Sequence, residues 1–234
     1  MRKLLIATLV SLILLSALTS CSLGDFYYPI ATGCNSDNTL NSDGTVDSAT
    51  DSNGVSLVES SVGLQFTMNS DGNSYSLSGI GSCKENSIVI DAHRGLPVTE
   101  ISAYAFTHCT GFSEVKVGNG VKEIGHAAFH GCTNLENVIL GDFVESVGVD
   151  AFGDCRNLKK VYISKNLAKL DERVFYYCSS LSEIEFEGTA AEWENITKGD
   201  NWDYMTGDYV VKCSDIVVQK LVPDTADESV ADTE

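Results

Sequence analysis

Ile124-Gly125-His126-Ala127-Ala128-Phe129-His130-Gly131-Cys132-Thr133-Asn134-Leu135-Glu136-Asn137-Val138 decides the fold, because its pattern returns every 23 residues along the chain. Phe106, Phe129, Phe152 and Phe175 share that spacing, and so do Cys109, Cys132, Cys155 and Cys178. Ungapped repeats therefore run from 98 to 120, 121 to 143, 144 to 166 and 167 to 189. A constant period of this length marks a solenoid.

The apolar positions recur inside each repeat. Val98, Val121, Val144 and Leu167 open them, and Ile101, Ile124, Val147 and Leu170 stand fourth. Ala105-Phe106, Ala128-Phe129, Ala151-Phe152 and Val174-Phe175 follow in a short helical or turn segment ahead of the cysteine. A strand comes next: Phe112-x-x-Val115-x-Val117 returns as Leu135-x-x-Val138-x-Leu140, Leu158-x-x-Val161-x-Ile163 and Leu181-x-x-Ile184-x-Phe186. One such coil cannot bury its own apolar face, whereas stacked coils pair their strands into a parallel sheet around a shared core. Neighbouring strands lie about 4.8 Å apart, so each Phe, Cys and Leu column becomes an interior ladder. Stacked cysteines point the same way, and a disulfide needs Cβ atoms that face one another. The column is therefore expected as buried thiols, while the state of Cys34, Cys83 and Cys213 is left open.

The pattern Ile-x3-Ala-Phe-x2-Cys-x2-Leu-x2-Val resembles the BspA-like leucine-rich repeats, also called the Treponema pallidum type. The resemblance covers residues 98–189 directly. Residues 62–97, with Tyr75 to Cys83, Ser87 to Asp91 and Leu96-Pro97-Val98, look like an N-terminal β cap or first coil. Residues 190–221 look like the closing unit. Thr189 and Glu192 have the spacing of a capping box, which predicts a helix whose Trp193 and Ile196 cover the last coil. The fold expected is thus an α/β repeat solenoid: a short BspA-like leucine-rich-repeat stack with a parallel β-sheet, an N-terminal β cap and a C-terminal helix-containing cap. Unlike plant and animal leucine-rich repeats, which carry Asn three residues after the last strand Leu, this chain has Gly120, Phe143, Asn166 and Thr189 there.

The flanks speak to location. Met1, Arg2 and Lys3 precede an uncharged, mostly apolar run from Leu4 to Leu18, too short to span a bilayer comfortably, and Thr19-Ser20-Cys21 closes it. Residues 1–20 read as a signal peptide. Leu18-Thr19-Ser20-Cys21 resembles a bacterial lipobox, which implies acylation of Cys21 and two or more chains for stable anchoring. Residues 21–61, rich in Ser, Asp, Asn, Thr and Gly, read as a flexible tether, and acidic residues 222–234 as a disordered tail. The expected location is the bacterial cell surface, membrane-bound through the lipid.

Charge and motifs narrow the function. The net charge of −18 becomes −20 once Arg2 and Lys3 leave 13 basic against 33 acidic side chains, which argues against nucleic acid as a partner. No G-x-S-x-G, H-E-x-x-H, phosphate-binding glycine loop or C-x-x-C occurs, so no enzyme and no cofactor is expected. A calcium-loop pattern fails, since alignment on Gly44 or Gly54 puts Thr39 or Ala49 at the first ligand position. His126 and His130, four apart, would share a helical face, yet no third metal ligand recurs near them. In the strands, Glu114, Lys116, Asn137, Ile139, Lys160, Tyr162, Glu183 and Glu185 are the solvent-facing residues, with Ile139 and Tyr162 adjacent on neighbouring coils. This face is the candidate ligand surface. The resemblance extends it to adhesion or binding of an extracellular protein of a host or neighbouring cell. An envelope structural protein, or the substrate-binding accessory of a larger enzyme system, is the alternative.

Overall fold

The structure, a computed structural model, describes residues 58–220. The signal peptide, Cys21, the tether up to residue 57 and the acidic tail lie outside the described residues.

Chain order runs through short strands joined by tight turns. Strands β1 (Gln65–Met68) and β2 (Tyr75–Gly79) form an antiparallel hairpin. They are followed by β3 (Ser87–Ile90), β4 (Ala92–His93) and β5 (Leu96–Ile101). The repeats contribute β6 (Glu114–Val117), β7 (Glu123–Ile124), β8 (Asn137–Ile139), β9 (Ser146–Val147), β10 (Lys160–Ile163), β11 (Lys169–Leu170) and β12 (Glu183–Phe186). Helix α1 (Ala190–Asn195) leads to β13 (Thr197–Lys198), β14 (Val210–Lys212) and β15 (Val217–Gln219).

Two sheets form where the sequence predicts one. The expected sheet is the order β3-β6-β8-β10-β12-β14, parallel throughout and closed by antiparallel β15. The second stacks β5, β7, β9, β11 and β13 in parallel, with the hairpin of β1 and β2 at its start. After the six-residue β5, strands β7, β9, β11 and β13 hold two residues each. The buried Ile101, Ile124, Val147 and Leu170 are their inward members. The apolar column is legible in sequence, but a two-residue strand cannot display a period of two.

The Ala-Phe segments are turns rather than helices. Tyr104, Ala127, Asp150 and Arg173 take left-handed φ near 50–62°, and His108, Asp154 and Tyr177 do so again near 58–59° four residues later in their coils. This alternation aims every second N–H at the next coil. Phe106, Phe129 and Phe152 donate to Ala128, Ala151 and Val174 at 2.7, 2.7 and 3.0 Å, while Cys109, Cys132 and Cys155 close their own turns on the preceding Phe carbonyl. A turn that would otherwise leave its backbone polar groups unpaired is thus a third hydrogen-bonded side of the stack.

Inside lies a ladder of side chains. Phe106, Phe129, Phe152 and Phe175 are fully buried, with successive ring centroids 4.8, 5.1 and 5.7 Å apart and nearly parallel. The four column cysteines are buried free thiols, as are Cys83 and, half-buried, Cys213. Cys132, Cys155 and Cys178 each donate an S–H to the Phe carbonyl one coil back, at 3.1 Å. Burial pushes the Cys132 and Cys178 thiols well above their usual value, which keeps them protonated.

Both ends are closed. Thr189 caps α1 by accepting from the Glu192 N–H at 3.3 Å, and Glu192 accepts from the Thr189 N–H at 2.7 Å. Buried Trp193 meets Phe186 and Trp202, the latter extending the phenylalanine ladder edge-on from Phe175. At the other end, residues 58–61 pack on the first coil although the sequence reading put them in the tether. Ser60 and Ser61 are buried, their N–H groups bond to Ala92 and Val89, and Val58 donates to the Asp91 carboxylate at 2.8 Å. Three polar residues, Glu59, Ser60 and Ser61, behind a single valine hide this strand-like cover from any hydrophobic pattern.

Candidate binding face

Period-two alternation sends Val115, Val138, Val161 and Ile184 inward and leaves their neighbours facing out. Parallel in-register pairing then lines up equivalent residues. One row reads Glu114, Asn137, Lys160, Glu183 and Val210. The next reads Lys116, Ile139, Tyr162, Glu185 and Lys212. All eight sequence-nominated residues are therefore on one face, and Ile139 is directly paired with Tyr162. Both are half-buried by their neighbours rather than fully exposed.

Charges on this face are tied to one another. The Lys160 ammonium reaches Glu183 at 2.6 Å and Glu185 at 2.5 Å, and it sits 4.4 Å from the centre of the Tyr162 ring. Lys212 makes a second ion pair with Glu183. Hydrogen bonds from Lys160 and then Lys212 hold the Glu183 carboxyl down at about 2, and the same carboxylates raise Lys160 above its ordinary value. The network fixes Lys160 and Glu185 around Tyr162, so the aromatic ring is held in place before any ligand arrives.

A groove of about 540 Å³ runs along the C-terminal ends of these strands. Ile139 and Tyr162 contribute its apolar part, Glu185 and Lys212 one end, and Asp142 and Glu187, just past β8 and β12, its rim. Lys212 and Asp142 were missed in sequence: the first lies in the cap, outside any repeat, and the second follows β8 where the repeat pattern fixes nothing. Asn166, the one Asn at the plant-type position, donates from Nδ2 to the Asp142 carbonyl at 2.8 Å and ties adjacent coils together beside the rim.

The histidines take other places. His126 and His130 lie in a turn, so the helical face considered for them does not form. His126 meets Tyr104 edge-on at 5.0 Å, and His130 stands 3.8 Å from buried Asp150 and edge-on to His108. Among the described residues no three His, Cys, Asp or Glu side chains gather as a metal site, and no helix is long and apolar enough to cross a membrane.

The match to a known repeat family agrees with the stack. A family model for the BspA type leucine rich repeat region matches residues 83–197 in six copies, reaching past 98–189 on both sides. No curated protein matches the chain. Among solved structures, the Treponema pallidum leucine-rich repeat protein is 18% identical over 67% of this chain and 86% of its own, with a TM-score of 0.44. A leucine-rich repeat protein from Bacteroides capillosus is 23% identical over 67% and 97%, with a TM-score of 0.41. A leucine-rich cell surface protein from Faecalibacterium prausnitzii is 22% identical over 57% of this chain, with a TM-score of 0.43, and the match spans only 40% of that protein. Residues 83–197 of the chain are thus a BspA-type leucine-rich repeat region.

Proposed function

We propose that this is an exported, non-catalytic binding protein, anchored through a lipid on Cys21 at the bacterial surface, which engages an extracellular protein on the outward face of the β6-β8-β10-β12 sheet. The observation that carries the reading is the Ile139–Tyr162 pair on the floor of the groove, with Tyr162 braced by the Lys160, Glu183 and Glu185 network. An aromatic side chain pre-ordered beside an aliphatic one is the kind of anchor that dominates protein interfaces. The leader pattern of residues 1–21 and the long polar stretch behind it support an anchored protein held clear of the bilayer.

Pull-down from host extracellular matrix and bacterial surface extracts tests this, using the chain from residue 22 onward. A discrete partner captured by the parent and lost with an Ile139→Asp, Tyr162→Asp double variant of unchanged circular dichroism is the expected result. Capture that survives the double variant refutes the sheet-face assignment, and no capture by either favours an envelope-structural role.

A further inference from the structure

We infer that the groove is built for a basic segment of its partner: an extended peptide that lays an aliphatic or aromatic side chain on Ile139 and Tyr162 and directs lysine or arginine heads to Asp142 and Glu187. This rests on the sheet-face reading and adds the chemistry of the ligand.

The charge pattern selects the occupant. The lysines on the strands of this face are already engaged, Lys160 by Glu183 and Glu185, Lys212 by Glu183, and Lys116 by Glu114 at 3.4 Å, while the exposed Lys165, one repeat after Asp142, lies beside the rim. The rim carboxylates are not: both Asp142 and Glu187 are exposed, and neither forms an ion pair among the described residues. The groove therefore presents an apolar floor and, at its rim, two exposed carboxylates that form no direct ion pair among the described residues. Long basic side chains suit both parts, since their methylene stems cover apolar surface while the head groups remain wet. Electrostatic attraction acts at longer range too, because a chain of net charge −18 draws cationic partners and repels a second copy of itself. A sugar ring stacked on Tyr162 fits less well, as the Lys160 ammonium already occupies one side of that ring. Extended backbone matches the site, because the side chains of a strand repeat at about 6.6 Å on one face and the groove crosses several rungs about 4.8 Å apart.

Titration of the chain from residue 22 onward with synthetic octapeptides tests the inference: alternating leucine and lysine, leucine and glutamate, or serine and lysine. The leucine–lysine peptide is expected to bind, the leucine–glutamate peptide to fail, and the serine–lysine peptide to bind more weakly for lack of an anchor. Raising salt from about 50 to 500 mM should weaken the first, because exposed pairs are screened. An Asp142→Asn, Glu187→Gln double variant should weaken it about fivefold. Glu123→Gln with Glu145→Gln removes the same charge from the other sheet side and should change nothing. Equal loss with both double variants, or equal binding of the glutamate peptide, would overturn the inference in favour of diffuse attraction or a neutral site. A protein partner captured through Ile139 and Tyr162, yet indifferent to salt and to the Asp142 and Glu187 changes, would overturn it while leaving the sheet-face reading intact.

Discussion

Gly131 occupies the left-handed position that His108, Asp154 and Tyr177 fill in the other coils, with φ of 70°. A Cβ there would press on the His108 imidazole, which is exposed and able to move. Gly131→Ala is therefore expected to lower stability by only about 1 kcal/mol, the cost of a non-glycine left-handed residue. Gly125 has ordinary φ, but its Cβ would come 2.6 Å from the Ala103 nitrogen and 2.8 Å from the Ile101 carbonyl, backbone atoms of the preceding coil. Gly125→Ala should therefore cost more than Gly131→Ala, as denaturant midpoints at unchanged slope will show. Glu183 makes a pH prediction. Its folded value of about 2 lies below the ordinary 4.5, so its contribution is complete above about pH 4.5 and disappears as pH falls through 2. The group is near the surface, and solvent screening limits that contribution to about 1 kcal/mol or less. Urea unfolding of Glu183→Gln between pH 6 and 2 should be flatter than the parent's over that interval.

Stacked elements, rather than any one strand, hold the molecule together. Phe152 touches a ring on each side in the column, so Phe152→Ala opens a cavity in the middle of the stack and is expected to cost about 3–5 kcal/mol in chemical denaturation. Trp193→Ala strikes the end instead. It should increase amide exchange of β12 and β14 while leaving β6 and β8 protected, since repeat stacks couple mainly to their neighbours. The phenylalanine and cysteine columns and the outward strand face were legible in sequence because each repeats without a gap and each reflects a period of two or of 23. Other parts had no such signal. From β7 onward the second sheet uses strands of two residues, the turns rely on left-handed φ at His108, Asp154 and Ala127, and the cover at 58–61 is polar apart from Val58. The groove rim was hidden for a different reason: Asp142 and Glu187 border one groove from coils two repeats apart, at positions that are not equivalent in the repeat.

At the scale of the whole molecule, a rigid column of coils carries its network-braced aromatic on one sheet face and its backbone-paired turns on another. The sheet face combines apolar surface, ordered charge and a groove, whereas the turn side holds the exposed Tyr177, Tyr204 and Met205. The central claim is that binding occurs on the sheet face. Amide exchange of the chain with and without its captured partner tests it most directly, because protection is read along the entire backbone at once. The account predicts new protection at Leu140–Asp142, Ile163–Ser164 and Glu187, the strand ends that border the groove, with the turns at 104–108 and 173–177 unchanged. Protection confined to those turns, or spread over Tyr204 and Met205 with none at the strand ends, would contradict it.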